Sequence, residues 1–298
     1  MNQTTLPTLG VIEKKRRSRL AEFFTRLVKE KPLGAACGAI ILALVFVAIF
    51  ADFLIPYPYD ELHLRDRLQG SSFKYLLGTD QLGQDILSRL IYGARISILI
   101  GLSVTTFSVA VSTLIGGISG FLGGKFDLIL QRFVDGWNVF PGLLILLTIM
   151  SIVGRGFWQV VLVLGIAGGL GGSRLVRSAV LSIKESDYFL AAEATGTPKW
   201  RTFLRHVVPN IMAIIIIMFS MSVGGVILSL AALSFLGYGL PPGIPDWGGM
   251  LSTEGRKFME EAPRLALLPG LCLTITIFCL NMFGDAMRDL LDPRLRGG

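Results

Sequence analysis

The chain has 298 residues, 52% of them hydrophobic and only 16% charged, with a mean hydropathy of +0.64. A soluble domain is usually less apolar and more evenly charged, so this composition predicts a polytopic, all-α integral membrane protein. The net charge of +7 would suit nucleic acid in a soluble protein, but the basic residues cluster between apolar runs rather than on one face, which argues against nucleic acid as a partner.

Residues 1–32 form a basic N-terminal segment, and the first apolar run, Leu33–Ala51, follows it. That run is long enough to cross a bilayer and reads as a retained first helix rather than a cleavable signal. Further runs without an ionisable residue are Ile96–Leu122, Gly136–Val153, Gly156–Ser173, Val207–Tyr238 and Leu265–Gly284. Six transmembrane helices result. The chain divides into residues 33–95 (first helix and external segment), 96–285 (a five-helix core with a cytoplasmic loop at 174–206) and 286–298 (a C-terminal tail). Six spans put both termini on one side. With the termini inside, 19 of the 28 Lys and Arg lie in cytoplasmic segments, so the positive-inside rule places both termini in the cytoplasm and the chain in contact with membrane lipid.

The external segment Pro56–Arg95 ends in an amphipathic pattern. Ile86, Leu87, Leu90 and Ile91 share one face, and Asp85, Ser88 and Arg89 the other, which predicts a helix lying in the outer interface. Asp80 and Asp85 read as solvated loop carboxylates. The second run carries Ser108, Ser112, Gly116 and Gly120 on a four-residue beat, and the fourth is rich in glycine from Gly165 to Gly172. Both suit close helix packing in lipid or a mobile seam beside a path. The external loop Gly237–Arg264 carries Pro241, Pro242, Pro245 and Trp247, with restricted backbone suited to a docking surface.

No catalytic constellation is present. His63 and His206 lie in loops on opposite sides, Cys37, Cys272 and Cys279 fall in apolar runs without paired spacing, and Gly124-Lys125 fails the phosphate-loop pattern on both flanks. Neither a catalytic site, a metal site nor a cofactor site is expected in this chain. The apolar runs also lack the titratable relay usual in proton-coupled pumps. An ion-coupled transporter or channel, which could use backbone carbonyls, and a membrane scaffold remain as alternatives of other classes.

The loop before the fifth run is the most informative. Ser186 is a candidate helix cap, Leu190 to Ala194 favours helix, Gly196 suits a helix stop, and Thr197-Pro198 suits a new start. Two short helices around a sharp glycine turn are expected, with Ala191, Ala192, Ala194 and Gly196 forming a compact knob. Ala191, Ala192, Gly196 and Val208-Pro209 resemble the cytoplasmic loop of binding-protein-dependent ABC importer permeases, whose pattern is Glu-Ala-Ala, three residues, Gly, then an apolar residue and Pro. Leu190 stands where that family often has Glu. Leu77-Gly-Thr-Asp80, Gly83-Gln-Asp85, Ser88-to-Arg95, Leu233-to-Gly237, Pro241-Pro242, Trp247-Gly248 and Asn281-to-Arg294 resemble the dipeptide, oligopeptide and nickel branch, and its second, C-type permease.

The resemblance implies a type I ABC importer permease architecture and a heterodimer with a B-type sister permease in the cytoplasmic (inner) membrane of a prokaryote. It implies two P-loop ATPase subunits carrying ATP and Mg2+, and an external substrate-binding protein. It makes Leu190, Ala191, Ala192, Gly196, Pro198, Val208 and Pro209 the ATPase-coupling loop, and Asp80, Asp85, Arg89, Pro241 and Trp247 candidate contacts for the binding protein. Peptides are the expected cargo, with nickel chelates, glutathione or another small solute as alternatives.

Overall fold

A computed structural model describes residues 19–291, and the basic cluster at Lys14–Arg17 and the Asp292-Pro293-Arg294 motif lie outside the described residues. The helices, in chain order, are α1 (Arg19–Glu30), α2 (Pro32–Ile49), α3 (Ala51–Leu54), α4 (Ile86–Leu122), α5 (Gly124–Val139) and α6 (Gly142–Val153). They continue with α7 (Phe157–Lys184), α8 (Asp187–Ala194), α9 (Lys199–Thr202), α10 (Val208–Phe235), α11 (Trp247–Met250) and α12 (Arg264–Leu291). Five stretches are long and apolar enough to cross a bilayer, and the bent pair α5–α6 is a sixth when counted as one span.

The small-residue stripes of the second and fourth apolar runs meet each other. A Cβ on Gly172 would sit 2.5 Å from Ser112 Oγ, one on Gly168 2.7 Å from Ser108 Oγ, and one on Gly116 would overlap Ser173 O. Ser112 Oγ donates to Gly169 O at 2.9 Å, adding a polar tie at the point of closest approach. In lipid no hydrophobic effect draws helices together, so this backbone proximity, with its dispersion and interhelical hydrogen bond, holds α4 to α7. A second close seam joins α10 to α12, where a Cβ on Gly284 would sit 3.0 Å from Ser220 O.

Three features differ from the sequence expectation. The amphipathic pattern at Asp85–Ile91 is not an interfacial helix. It is the start of α4, a 37-residue helix about 55 Å long at 1.5 Å per residue, and its polar face is covered by the folded external segment, leaving Ser88 and Arg89 buried with Ile86 and Leu90. The third run does not form one helix: α5 and α6 meet at a 91° bend. Pro141 causes it, since proline has no N–H for the helix ladder and pushes Phe140 to an extended ψ of 144°. The loop at 174–206 is also shorter than expected, because α7 runs on to Lys184.

Helix extension past the apolar runs brings charge into the end of the bundle that carries the loop between α7 and α10. Arg177 of α7 donates to both oxygens of Asp127 of α5, through Nε at 2.6 Å and Nη2 at 2.5 Å, and Ser119 of α4 donates to the same carboxylate. Arg174 and Asp135 pair beside it at 2.5 Å. These pairs fasten α5 to α7 within the last three turns of α7, ahead of the loop that follows it.

Candidate functional site

The loop between α7 and α10 is anchored from one side by one aromatic. Phe189 of α8 is 5% exposed and packs with Val176, Val180, Val207 and Ile211. Its ring stands edge-on to Phe121, which stands edge-on to Phe203. Lys184 donates to Phe121 O at 2.9 Å, satisfying a terminal carbonyl of α4 and tying the end of α7 to it. With the inner face thus fixed, α8, α9 and the turn after it present Tyr188, Leu190, Trp200 and Leu204 outward, each at least 45% exposed.

The turn itself is a Schellman stop. Thr197 N donates to Ala192 O at 3.3 Å and Gly196 has φ +73°. No atom lies within 4 Å of a Cβ built on Gly196, so glycine is needed here for its left-handed backbone and not for space. Ser186 stands at the cap position predicted for it, its carbonyl accepting from Leu190 N at 3.1 Å, while its hydroxyl donates backward to Ile183 O at 2.5 Å. Pro198 is the residue before α9 rather than the first within it.

The second short helix is not separate. From Lys199 to Phe235 the chain is one helical stretch of 37 residues, passing through a π-turn at Phe203–Val207. Pro209 explains the turn: it cannot donate to Arg205 O, and Val208 N reaches Phe203 O instead, one residue further back. Asn210 Nδ2 takes up His206 O at 2.6 Å. Ala191, Ala192, Gly196, Pro198, Val208 and Pro209 therefore belong to one rigid elbow whose second arm is a membrane span.

The external residues assemble differently from expectation. Asp80 and Asp85 are 0% and 3% exposed, so they are not solvated carboxylates. Asp80 Oδ1 accepts from Leu82 N at 2.8 Å and Gln84 N at 2.9 Å, closing a turn. Its Oδ2 faces Arg89 Nη1 at 3.2 Å. Asp85 caps α4 by accepting from Ser88 N and Ser88 Oγ at 2.8 and 2.7 Å. Trp247 is 1% exposed and donates from Nε1 to Leu90 O at 3.1 Å. Four of the five residues expected to meet a binding protein thus pin the segments 56–85 and 237–263 onto the head of α4, and Pro241 alone keeps partial exposure.

Asp246 joins this cluster unannounced by any motif. It is 4% exposed, caps α11 by accepting from Gly249 N, and lies in the field of Arg89. Burial pushes its carboxyl above the usual carboxylate range, against the pull of the neighbouring backbone N–H groups. Burial also raises Asp80, opposed by Arg89 and backbone donors. A raised folded-state pKa means that the protonated form is favoured on folding. The contribution of Asp246 is thus present at acid pH and lost as pH rises above the ordinary carboxylate value and through the raised one. Asp246→Asn keeps the acceptor and removes the charge. Its Tm in detergent, followed by tryptophan fluorescence, is expected to fall less between pH 5 and pH 8 than that of the unaltered chain, and an equal or steeper fall would contradict this.

The family described as binding-protein-dependent transport system inner membrane component matches residues 112–297, which include the whole elbow. The chain belongs to that family. The N-terminal TM domain of oligopeptide transport permease C matches residues 18–70, in agreement with the C-type permease motifs. Among curated relatives, the chain is 36% identical to a glutathione transport system permease protein of Pectobacterium atrosepticum over 98% of this chain and 97% of the relative. It is 36% identical to a dipeptide transport system permease protein of Alkalihalophilus pseudofirmus over 92% and 90% of the two chains. A di/tripeptide transport system permease protein of Pseudomonas aeruginosa is 37% identical over 94% and 93%. The protein is a membrane-spanning permease of a binding-protein-dependent ABC importer, with the type I importer fold.

Sequence reading missed the anchor Phe189, the exposed Trp200 and Leu204, and Asp246. Trp200 and Leu204 lie four apart and share a helical face, a signal present in the sequence. Nothing local marks Asp246, because its burial depends on α4 and α10.

Proposed function

We propose that this permease carries di- or oligopeptides inward as the C-type half of a heterodimer with a B-type sister. ATP hydrolysis occurs on two partner ATPase subunits, and an external binding protein delivers the cargo. Both termini face the cytoplasm of an inner membrane, as the distribution of Lys and Arg supports. The observation that carries the reading is the elbow at Leu190–Pro209. Its inner face is locked by Phe189, its outer face offers Leu190 and Trp200, and its second arm continues without interruption into α10.

Mechanically, a lever must be stiff and must be joined to what it moves. When the ATPases close on ATP they displace α8 and α9. The Phe189–Phe121–Phe203 contacts, the Lys184 cap and the helical continuity into α10 then pass that displacement to α4, α7 and α10. Leu190, in place of an acidic residue, makes the docking apolar. Asp127–Arg177 and Asp135–Arg174 carry the motion on to the bent pair α5–α6. Access alternates between the two sides as these helices rock.

The relatives named for dipeptide and di/tripeptide transport favour a peptide cargo, and the nearly full-length match to a glutathione permease supports glutathione as a second reading. Uptake of a labelled tripeptide into proteoliposomes holding the complete importer separates them. Unlabelled dipeptides are expected to compete and glutathione is not. Competition by glutathione alone would replace the first reading by the second.

A further inference from the structure

A polar cavity of ≈120 Å³ lies where the ends of α4 and α7 meet α8 and α9. Leu122, Lys184, Thr197, Lys199 and Thr202 contribute to its wall, which holds two ammonium groups and no carboxylate. The volume is about four times the ~30 Å³ share of one water, enough for a phosphate group and too little for a peptide. Lys184 Nζ donates to Phe121 O at 2.9 Å and Gly120 O at 3.4 Å, which leaves one of its three N–H groups free. Lys199 makes none of the ion pairs found among the described residues. Asp127 lies in the field of Lys184 but is already held through both oxygens by Arg177. The cavity therefore keeps a surplus of positive charge. It also stands at the edge of the apolar region, since Leu122 closes the second apolar run and α7 ends at Lys184. Ala110, Leu114, Ile118 and Leu122 follow one another at four-residue spacing along α4, and all but the half-buried Ile118 are exposed. From Ala110 to Leu122 this apolar ridge is about 18 Å long at 1.5 Å per residue, close to one half of a hydrocarbon core about 30 Å thick. An apolar ridge one leaflet deep that ends at a cationic cavity matches the amphipathic layout of a phospholipid.

We propose that this cavity binds the phosphate of an anionic phospholipid, with Lys199 Nζ and the free N–H of Lys184 on its oxygens and an acyl chain along the Ala110–Leu122 ridge. Hydrogen bonds from ammonium to phosphate are charge-assisted and strengthen where water is scarce, as it is at the base of a headgroup layer. The wall offers no carboxylate to the amine of a zwitterionic headgroup, so the site selects a net anionic one. The bound headgroup sits between α9 and the end of α4, against the inner face of the elbow. On the coupling reading above it stiffens the lever, and the binding itself does not depend on that reading.

The test is native mass spectrometry of the complete importer in detergent, titrated with phosphatidylglycerol or phosphatidylcholine. The unaltered importer is expected to retain phosphatidylglycerol in preference to phosphatidylcholine. Lys199→Gln is expected to weaken that retention about fivefold, the usual effect of one basic residue at an anionic membrane surface. Lys199 is exposed, so loss of its charge leaves the fold intact. Lys29→Gln, at an exposed position on α1, which contributes nothing to the wall, is expected to leave retention unchanged. Equal retention of the two lipids, or equal retention of phosphatidylglycerol by Lys199→Gln and the unaltered importer, overturns the proposal. An equal loss in Lys29→Gln overturns it too, because binding is then a general effect of surface charge. Displacement of the lipid by millimolar inorganic phosphate assigns the cavity to a soluble anion and also overturns it. In proteoliposomes, uptake per ATP hydrolysed is expected to rise with the phosphatidylglycerol fraction in the unaltered importer and not in Lys199→Gln. Selective retention without that rise upholds the lipid site and counts against the coupling reading alone.

Discussion

Gly196→Val is expected to abolish most ATP-driven uptake while leaving insertion and the ATPase partners intact. Gly196 has φ +73°, and a residue with a Cβ pays about 1–2 kcal/mol to occupy that region, more when β-branched. The cost falls on a turn and not on the core, because a Cβ at this position meets nothing within 4 Å. The turn relieves it by rotating out of the Schellman geometry, which loses the Thr197 N to Ala192 O bond and changes the angle between α8 and α9. A lever with an altered elbow transmits closure poorly, so ATP hydrolysis continues while uptake falls by an order of magnitude or more, by analogy with the cost of small misplacements elsewhere. Gly196→Asn, which tolerates the left-handed region, is expected to retain most uptake. Measuring uptake and phosphate release in the same vesicles checks the pair. Normal uptake in Gly196→Val would show that the turn's geometry is not what couples.

Arg89→Met has the largest expected effect on stability. Arg89 is 6% exposed, faces Asp80 Oδ2 at 3.2 Å and lies near Asp246. Removing one partner of a buried ion pair leaves an uncompensated charge and typically costs about 3–5 kcal/mol. Here two carboxylates lose their shared counter-charge, so the effect belongs at the upper part of that range. Asp80 also closes the turn that places Asp85 on the head of α4, and the damage therefore spreads to the external loops. The expected result is a much lower Tm and easy proteolysis between α3 and α4. Partial recovery is expected in Arg89→Met with Asp80→Asn, which keeps an acceptor for Leu82 N and Gln84 N. Lack of any recovery would mean that Arg89 matters for packing and not for charge.

The span count was legible because each apolar run reports its own solvent. Glycine at 196 was legible because a left-handed helix stop is a local demand. What escaped was decided by partners distant in sequence. Asp80, Asp85 and Arg89 look solvated when the external segment is read alone, and become buried only because Trp247, Asp246 and the folded segment close over them. The small-residue stripes were visible individually, and their facing each other emerges only once α4 and α7 are packed. The π-turn had a local cause in Pro209, but whether the chain breaks or shifts register there depends on Val207 and Ile211 being held in the same core as Phe189. Pro141 was equally visible, and the apolar residues on both sides of it masked the bend.

The central claim is that this chain conducts only when driven through its cytoplasmic elbow. The direct test is uptake of labelled peptide into proteoliposomes containing the chain alone, the chain with its sister permease, and the full set with ATPases and binding protein. Uptake is expected only in the full set, only with ATP inside the compartment that holds the elbow, and not after Gly196→Val. Uptake by the chain alone, driven by an ion gradient without ATP, would contradict the account.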